Sequence, residues 1–210
     1  LDATGLTMLG LNTVRGDLAA NENGLTALPG REDEARAAID QAVRYATAIN
    51  TPNIHVMAGF AEGSAAEDCF IKNLRYATSK QQHITFLIEP LNHYDAPGYF
   101  LNSTDQARRI IEAVAAPNLK LMFDCYHIQI LEGDLTRRLQ ANIDIIGHIQ
   151  FAGVPSRGRP DYGEINYQHI FKQIAGMGYT APLGAEYKPE NGDTDGSLGW
   201  KSKLEEQAGI

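Results

Sequence analysis

The 210-residue sequence predicts one α/β domain built on a parallel sheet, and three observations predict it. Short apolar runs recur along the chain, each is bounded by Gly, Pro or Asn, and each is followed by a longer stretch of helical periodicity. Runs of that kind read as strands buried on both faces, and strand–helix alternation joins such strands by crossover connections. The sheet is then either open and doubly wound or closed as a barrel.

The first run is Leu6–Asn12 (LTMLGLN). The segment after it, Asn12-Thr13-Val14-Arg15-Gly16-Asp17, matches neither the Walker nor the dinucleotide pattern, so phosphate cradling by a glycine-rich loop is not expected. Arg31–Ile49 then places Ala35, Ala38, Ile39, Ala42, Val43 and Ala46 along one helical face. The run Asn53–Gly59 (NIHVMAG) precedes a helix over Ser64–Ser79, where Ser64 stands three residues before Glu67 as in a capping box. Ile84–Pro90 (ITFLIEP) leads to a helix opening at Ser103 or Thr104 and closing near Ala116, because Pro117 forbids continuation. Leu119–Asp124 (LKLMFD) is followed by a helix over Leu135–Ile143, and Ile146–Ala152 (IGHIQFA) by one over Tyr167–Met177 closed by Gly178. Pro182–Lys188 (PLGAEYK) and a weaker helix over Leu198–Gln207 complete six strand–helix units. No low-complexity tract or linker divides the chain.

Composition narrows the function classes. Eighteen Lys+Arg against 26 Asp+Glu give a net charge of −8, which opposes a phosphate-backbone partner. The longest apolar stretches fall far short of the ~20 residues that span a bilayer, so no membrane partner is expected. Leu1 to Leu11 lacks the basic start and cleavage site of a signal peptide. Two cysteines, Cys69 and Cys125, form no disulfide framework and no zinc spacing, which fits a reducing cytoplasm. A chain of this length buries roughly 70% of its unfolded surface, enough for a core without staples.

The informative polar residues sit at the strand ends. Glu89, Asp124, Gln150 and Glu186 each sit at or near the C-terminal end of a different apolar run, at spacings of 35, 26 and 36 residues, about one strand–helix repeat apiece. In parallel α/β folds, sites assemble at the C-terminal ends of the strands, and a carboxylate buried there needs a partner or a metal ion. Three carboxylates and one amide oxygen form a hard donor set suited to Mg²⁺ or Mn²⁺. His148 and Lys188 share the strand faces of Gln150 and Glu186, and His127 lies three residues beyond Asp124, on a loop or first helical turn. His55 and His148 read equally well as satisfied interior histidines, and Lys188 as a neutraliser of Glu186. The loop after Gln150 presents Arg157 and Arg159, either as bidentate receptors for a carboxylate or phosphate or as a solvated loop. Asn92–Leu101 either covers the site or packs its aromatics on the neighbouring helix.

Five segments carry a family resemblance: IEPLN (Ile88–Asn92), PGYFL (Pro97–Leu101), FDCYH (Phe123–His127), HIQFAGVPSRGRPDYGEINY (His148–Tyr167) and AEYKP (Ala185–Pro189). Together they resemble the hydroxypyruvate isomerase family of the xylose-isomerase-like TIM barrels, over a span from Leu9-Gly10-Leu11-Asn12 to Gly199-Trp200. The resemblance implies a TIM (β/α)8-type barrel and a metal centre of Glu89, Asp124, Gln150 and Glu186. It implies that Glu89 and Glu186 are the catalytic proton-transfer groups and that His127 contacts substrate oxygen. Related ketose epimerases have His where this chain has Gln150, which favours the hydroxypyruvate isomerase branch. The implied reaction interconverts hydroxypyruvate and 2-hydroxy-3-oxopropanoate through an enediolate, with Arg157, Arg159 or Lys188 receiving the substrate carboxylate. The rivals are 2-oxo-tetronate isomerisation or ketose 3-epimerisation on the same site, and a non-catalytic fragment. A multi-zinc phosphodiesterase resembling endonuclease IV is opposed by the few histidines near the acids and by the charge.

One departure bears on the domain. A (β/α)8 barrel typically takes ~250 residues, whereas residues 1–210 hold only about six units. The expectation is a single barrel domain, N-terminally incomplete, whose first two units (roughly 50 to 60 residues at ~30 per unit) are missing. Open edges would then flank the first and last strands, exposing residues such as Met8 and Leu183 and favouring self-association.

Overall fold

The structure, a computed structural model, describes residues 3–208; the expected domain limits at Leu1 and Ile210 lie outside the described residues. The chain divides into two compact units, Leu1–Met122 and Phe123–Ile210.

The first unit runs β1 (Leu11–Asn12), α1 (Glu32–Ala48), β2 (Asn53–His55), α2 (Gly63–Lys80), β3 (Thr85–Ile88), α3 (Thr104–Val114) and the opening of β4 (Leu119–Asp124). Its strands pair in sequence order and in parallel, with Leu11 opposite Ile54, Ile54 opposite Phe86 and Phe86 opposite Leu119. The apolar runs are buried as expected: Ile54, Phe86, Ile88 and Leu121 are fully covered, as are Ile39, Phe70 and Ile110 of the three helices. Ser103 caps α3, its hydroxyl accepting from the Gln106 N–H at 3.1 Å. The helix closes on Ala115 in the left-handed region, two residues before Pro117.

The second unit continues from the end of β4 through α4 (Cys125–Leu131), α5 (Leu135–Asn142), β5 (Ile146–Phe151), α6 (Tyr167–Gly176), β6 (Leu183–Ala185) and α7 (Trp200–Ala208). β5 and β6 are parallel, with Gln150 opposite Gly184 and Phe151 opposite Ala185. Phe151 anchors an aromatic core, its ring 5.5 Å from Tyr167, 4.9 Å from Phe171 and 5.6 Å from Trp200. Tyr167 also donates its hydroxyl to the Ala152 carbonyl at 2.7 Å, which satisfies the phenol inside the core.

Two local expectations are corrected. The first strand is two residues long, not seven, because Thr51 and Asn53 side chains bond the Met8 and Leu9 carbonyls at 2.7 and 2.6 Å, where a ladder would otherwise form. Leu6 and Met8 are accordingly exposed, and Leu183 is half-buried. Ser64 is not a cap: α2 starts at Gly63 after an extended Glu62, and Glu67 instead pairs with Arg109 at 2.7 Å. Among the described residues, no helix is long and apolar enough to cross a membrane.

Candidate active site

In the first unit the polar centre lies at the ends of β2 and β3. Glu89 follows β3 and is buried, and the Nδ1 of buried His55, from β2, stands 3.6 Å from its Oε2. Burial holds the His55 imidazole neutral, lowering its pKa to about 4. Tyr99, from the PGYFL segment, is buried nearby; its hydroxyl accepts from the Ala58 N–H at 2.8 Å. Burial, reinforced by the Glu89 charge, pushes that phenol above its usual range, so it stays protonated. Within Asn92–Leu101, Tyr99 and Phe100 therefore pack inward, Phe100 on Phe70 at 5.6 Å, while Tyr94 is exposed.

In the second unit Asp124 ends β4, fully buried, and caps α4 by accepting from the Tyr126 N–H at 2.9 Å. That cap starts a helix at Cys125 and sets His127 in its first turn, buried, with Nε2 3.8 Å from Asp124 Oδ2. β5 carries Gln150, and among the described residues nothing hydrogen-bonds its buried Oε1. The neighbouring strand makes room for it. A Cβ on Gly184 would lie 3.1 Å from Gln150 Cγ and 2.9 Å from His148 Nε2. His148 is kept toward its neutral form by burial.

The two arginines after β5 go different ways. Arg157 points to the acids: its Nη2 is 2.9 Å from Glu186 Oε2 and 3.6 Å from Asp124 Oδ2, and its guanidinium lies 5.2 Å from the centre of the Tyr126 ring. Arg159 is paired with Asp161 at 2.9 Å. Lys188 and Arg159 line a separate hollow of about 370 Å³ with Ser156, Tyr162 and Glu190. The expected substrate-binding residues thus separate into Arg157 and His127 beside Asp124, and Arg159 and Lys188 beside the hollow. Sequence reasoning missed two contributors, Tyr126 under the guanidinium and Tyr99 beside Glu89. Both lie inside the segments FDCYH and PGYFL, whose aromatics were the available signal.

Chemically, the second unit offers hard oxygen donors, a neutral imidazole in His148 and the guanidinium of Arg157. An unsatisfied buried amide oxygen and two carboxylates held by a cation fit a divalent ion of the Mg²⁺ or Mn²⁺ type better than a soft metal.

Comparison with known proteins places the chain in a family. The family described as xylose isomerase-like TIM barrel matches residues 1–205. The chain is 47% identical over 206 residues to a 2-oxo-tetronate isomerase of Cupriavidus necator, covering 95% of this chain and 79% of that one. It is 40% identical over 195 residues to the hydroxypyruvate isomerase of Escherichia coli K12, covering 90% and 75%. A crystal structure described as AP endonuclease, family 2, from Brucella melitensis superposes with a TM-score of 0.92 at 40% identity, covering 96% of this chain and 80% of that one. The strand–helix order and these matches together make the chain a member of the xylose isomerase-like TIM barrel family.

Proposed function

We propose that the protein is an isomerase interconverting hydroxypyruvate and 2-hydroxy-3-oxopropanoate by proton transfer through an enediolate. The observation that carries this reading is the convergence of Asp124 and Glu186, from the ends of β4 and β6, on the single guanidinium of Arg157. Strand-end acids that meet at one cation are the equipment for holding an oxygen-rich substrate. The isomerase names of the 47% and 40% identical relatives point the same way. Glu89, Asp124, Gln150 and Glu186 would hold one Mg²⁺ or Mn²⁺. When bound, such an ion polarises the substrate carbonyl and acidifies the adjacent C–H.

The protein's own groups do the rest. One of Glu89 and Glu186 takes a proton from C3, and the released electron pair becomes the C2=C3 bond of the enediolate. The other carboxyl returns a proton to C2. The C3 hydroxyl gives up its proton as C3 becomes the aldehyde, and the C2 oxygen gains one, so atoms and charge balance. His127 orients a substrate oxygen, and Arg157, Arg159 and Lys188 are the candidate receptors for the substrate carboxylate. The substrate is a small 2-oxo acid and the compartment the cytoplasm; a net charge of −8 opposes a DNA substrate.

Glu89→Gln and Glu186→Gln test the reading. Each should fold and bind substrate while losing about 10² to 10⁴ in kcat, and wild-type turnover in D2O should place deuterium on C2 of the product. Full retention of substrate hydrogen, or unchanged kcat in both variants, refutes it. The 47% identical relative favours a second reading, isomerisation of a 2-oxo-tetronate. A higher kcat/KM for 2-oxo-tetronate than for hydroxypyruvate would select it.

A further inference from the structure

We infer that Arg157 is the exchangeable cation of the metal centre, holding Asp124 and Glu186 together until a divalent ion takes its place and thereby setting the affinity for that ion. The inference rests on the proposed metal centre and goes beyond it.

Asp124 is fully buried, and a buried carboxylate is costly unless a cation or hydrogen bonds compensate it. Besides the Tyr126 N–H, the guanidinium of Arg157 compensates it at 3.6 Å and reaches Glu186 at 2.9 Å. The Arg157 Nε also donates to the Glu186 carbonyl at 3.3 Å, so the fork grips both ends of that residue. One positive group between two acids is what a divalent ion bound by the same acids would have to displace. The two cannot share the Asp124 Oδ2 and Glu186 Oε2 positions.

The loop is built so that the side chain moves and the backbone does not. Arg157 adopts a left-handed backbone, φ 54°, which a non-glycine residue keeps only where its surroundings hold it. Those surroundings are present. Gly153 and Gly158 exchange backbone hydrogen bonds of 2.8 and 3.2 Å on either side of it, and the Lys188 N–H donates to the Arg157 carbonyl at 2.7 Å. The Arg157 side chain is 18% exposed, and its guanidinium rests over the ring of Tyr126. It therefore swings about its side-chain torsions without unfolding the loop and without crossing the core. Displaced from the two acids by the ion, it would turn to the carboxylate of a 2-oxo acid. Arg159 is already committed to Asp161.

Calorimetric titration of the chelator-treated protein with Mn²⁺ alone tests the exchange, using wild type, Arg157→Gln, Arg157→Lys and Asp124→Ala. Arg157→Gln should bind Mn²⁺ at least about tenfold more tightly than wild type, the equilibrium worth of one charge-assisted contact. Its metal-free form should melt below wild type, and saturating Mn²⁺ should close most of that gap. Arg157→Lys keeps the charge and loses the fork, so it should lie between the two; if Arg157→Gln does not fold, this variant carries the comparison. Equal or weaker Mn²⁺ binding in the foldable Arg157 variants overturns the exchange. If Asp124→Ala loses Mn²⁺ in the same series, the metal centre itself stands. Absence of Mn²⁺ uptake in wild type and Arg157 variants alike overturns both.

Discussion

At Gly184 a single methyl group would meet the side chains of His148 and Gln150 rather than backbone. An added Cβ would stand 2.9 Å from His148 Nε2 and 3.1 Å from Gln150 Cγ, both closer than carbon tolerates without movement. Side-chain neighbours give way more easily than backbone, so the fold should survive Gly184→Ala with a cost below about 2 kcal/mol in urea unfolding. The displaced group is the one whose buried Oε1 lacks a partner among the described residues. The expected outcome is therefore several-fold weaker Mn²⁺ binding and lower turnover on a nearly unchanged unfolding midpoint, and a large loss of stability with intact metal binding would contradict it. Residues of this kind divide sharply in how legible they were. Glu89, Asp124, Gln150 and Glu186 stood out as candidates because each lies at or near the end of an apolar run. The different fates of Arg157 and Arg159 did not, because they depend on the tight loop between Gly153 and Gly158 and on Asp161 lying two residues from Arg159.

Among the elements, α3 shows how local sequence fixes a boundary. Ser103 accepts from the Gln106 N–H, and the Gln106 side chain accepts from the Asn102 N–H at 3.0 Å and donates to the Phe100 carbonyl at 3.1 Å. Ser103→Ala should remove the cap and cost about 1 kcal/mol of stability. Chemical denaturation should show a lower midpoint with an unchanged slope, and no change at all would mean that the cap is idle. Long helices were legible because three or more turns repeat the 3.6-residue period, as Ala35, Ala38, Ile39, Ala42 and Ala46 do in α1. α4 has only seven residues, too few to display a period, and it forms because Asp124 caps it. β1 was over-read for a complementary reason. Leu6–Asn12 has the composition of a strand, but strand formation needs a ladder, and Thr51 and Asn53 occupy the Met8 and Leu9 carbonyls through side chains. Composition reports the wish to be buried; pairing partners decide whether it is granted.

For the molecule as a whole, the six strand–helix units were legible because alternation survives errors in any one element. The proposed ligands are scattered along the sequence, with 96 residues between Glu89 and Glu186. An unfolded chain cannot hold four such oxygens around one ion without a large entropic cost, so an ion held by them would bind the folded state almost exclusively. Mass action then converts affinity into stability, by about 2.7 kcal/mol when free ion is ~100-fold above its dissociation constant. Thermal unfolding of the chelator-treated protein should accordingly move to higher temperature as Mn²⁺ is added, continuing to rise with concentration after the site is saturated. The rise should vanish in Asp124→Ala, because Asp124 is the fully buried carboxylate among the four. Ca²⁺ at equal concentration should stabilise less, since it favours six to eight ligands at longer distance than four donors supply. An increase that persists in Asp124→Ala would show the ion acting on the charge of −8 spread over the surface, and not at the strand ends.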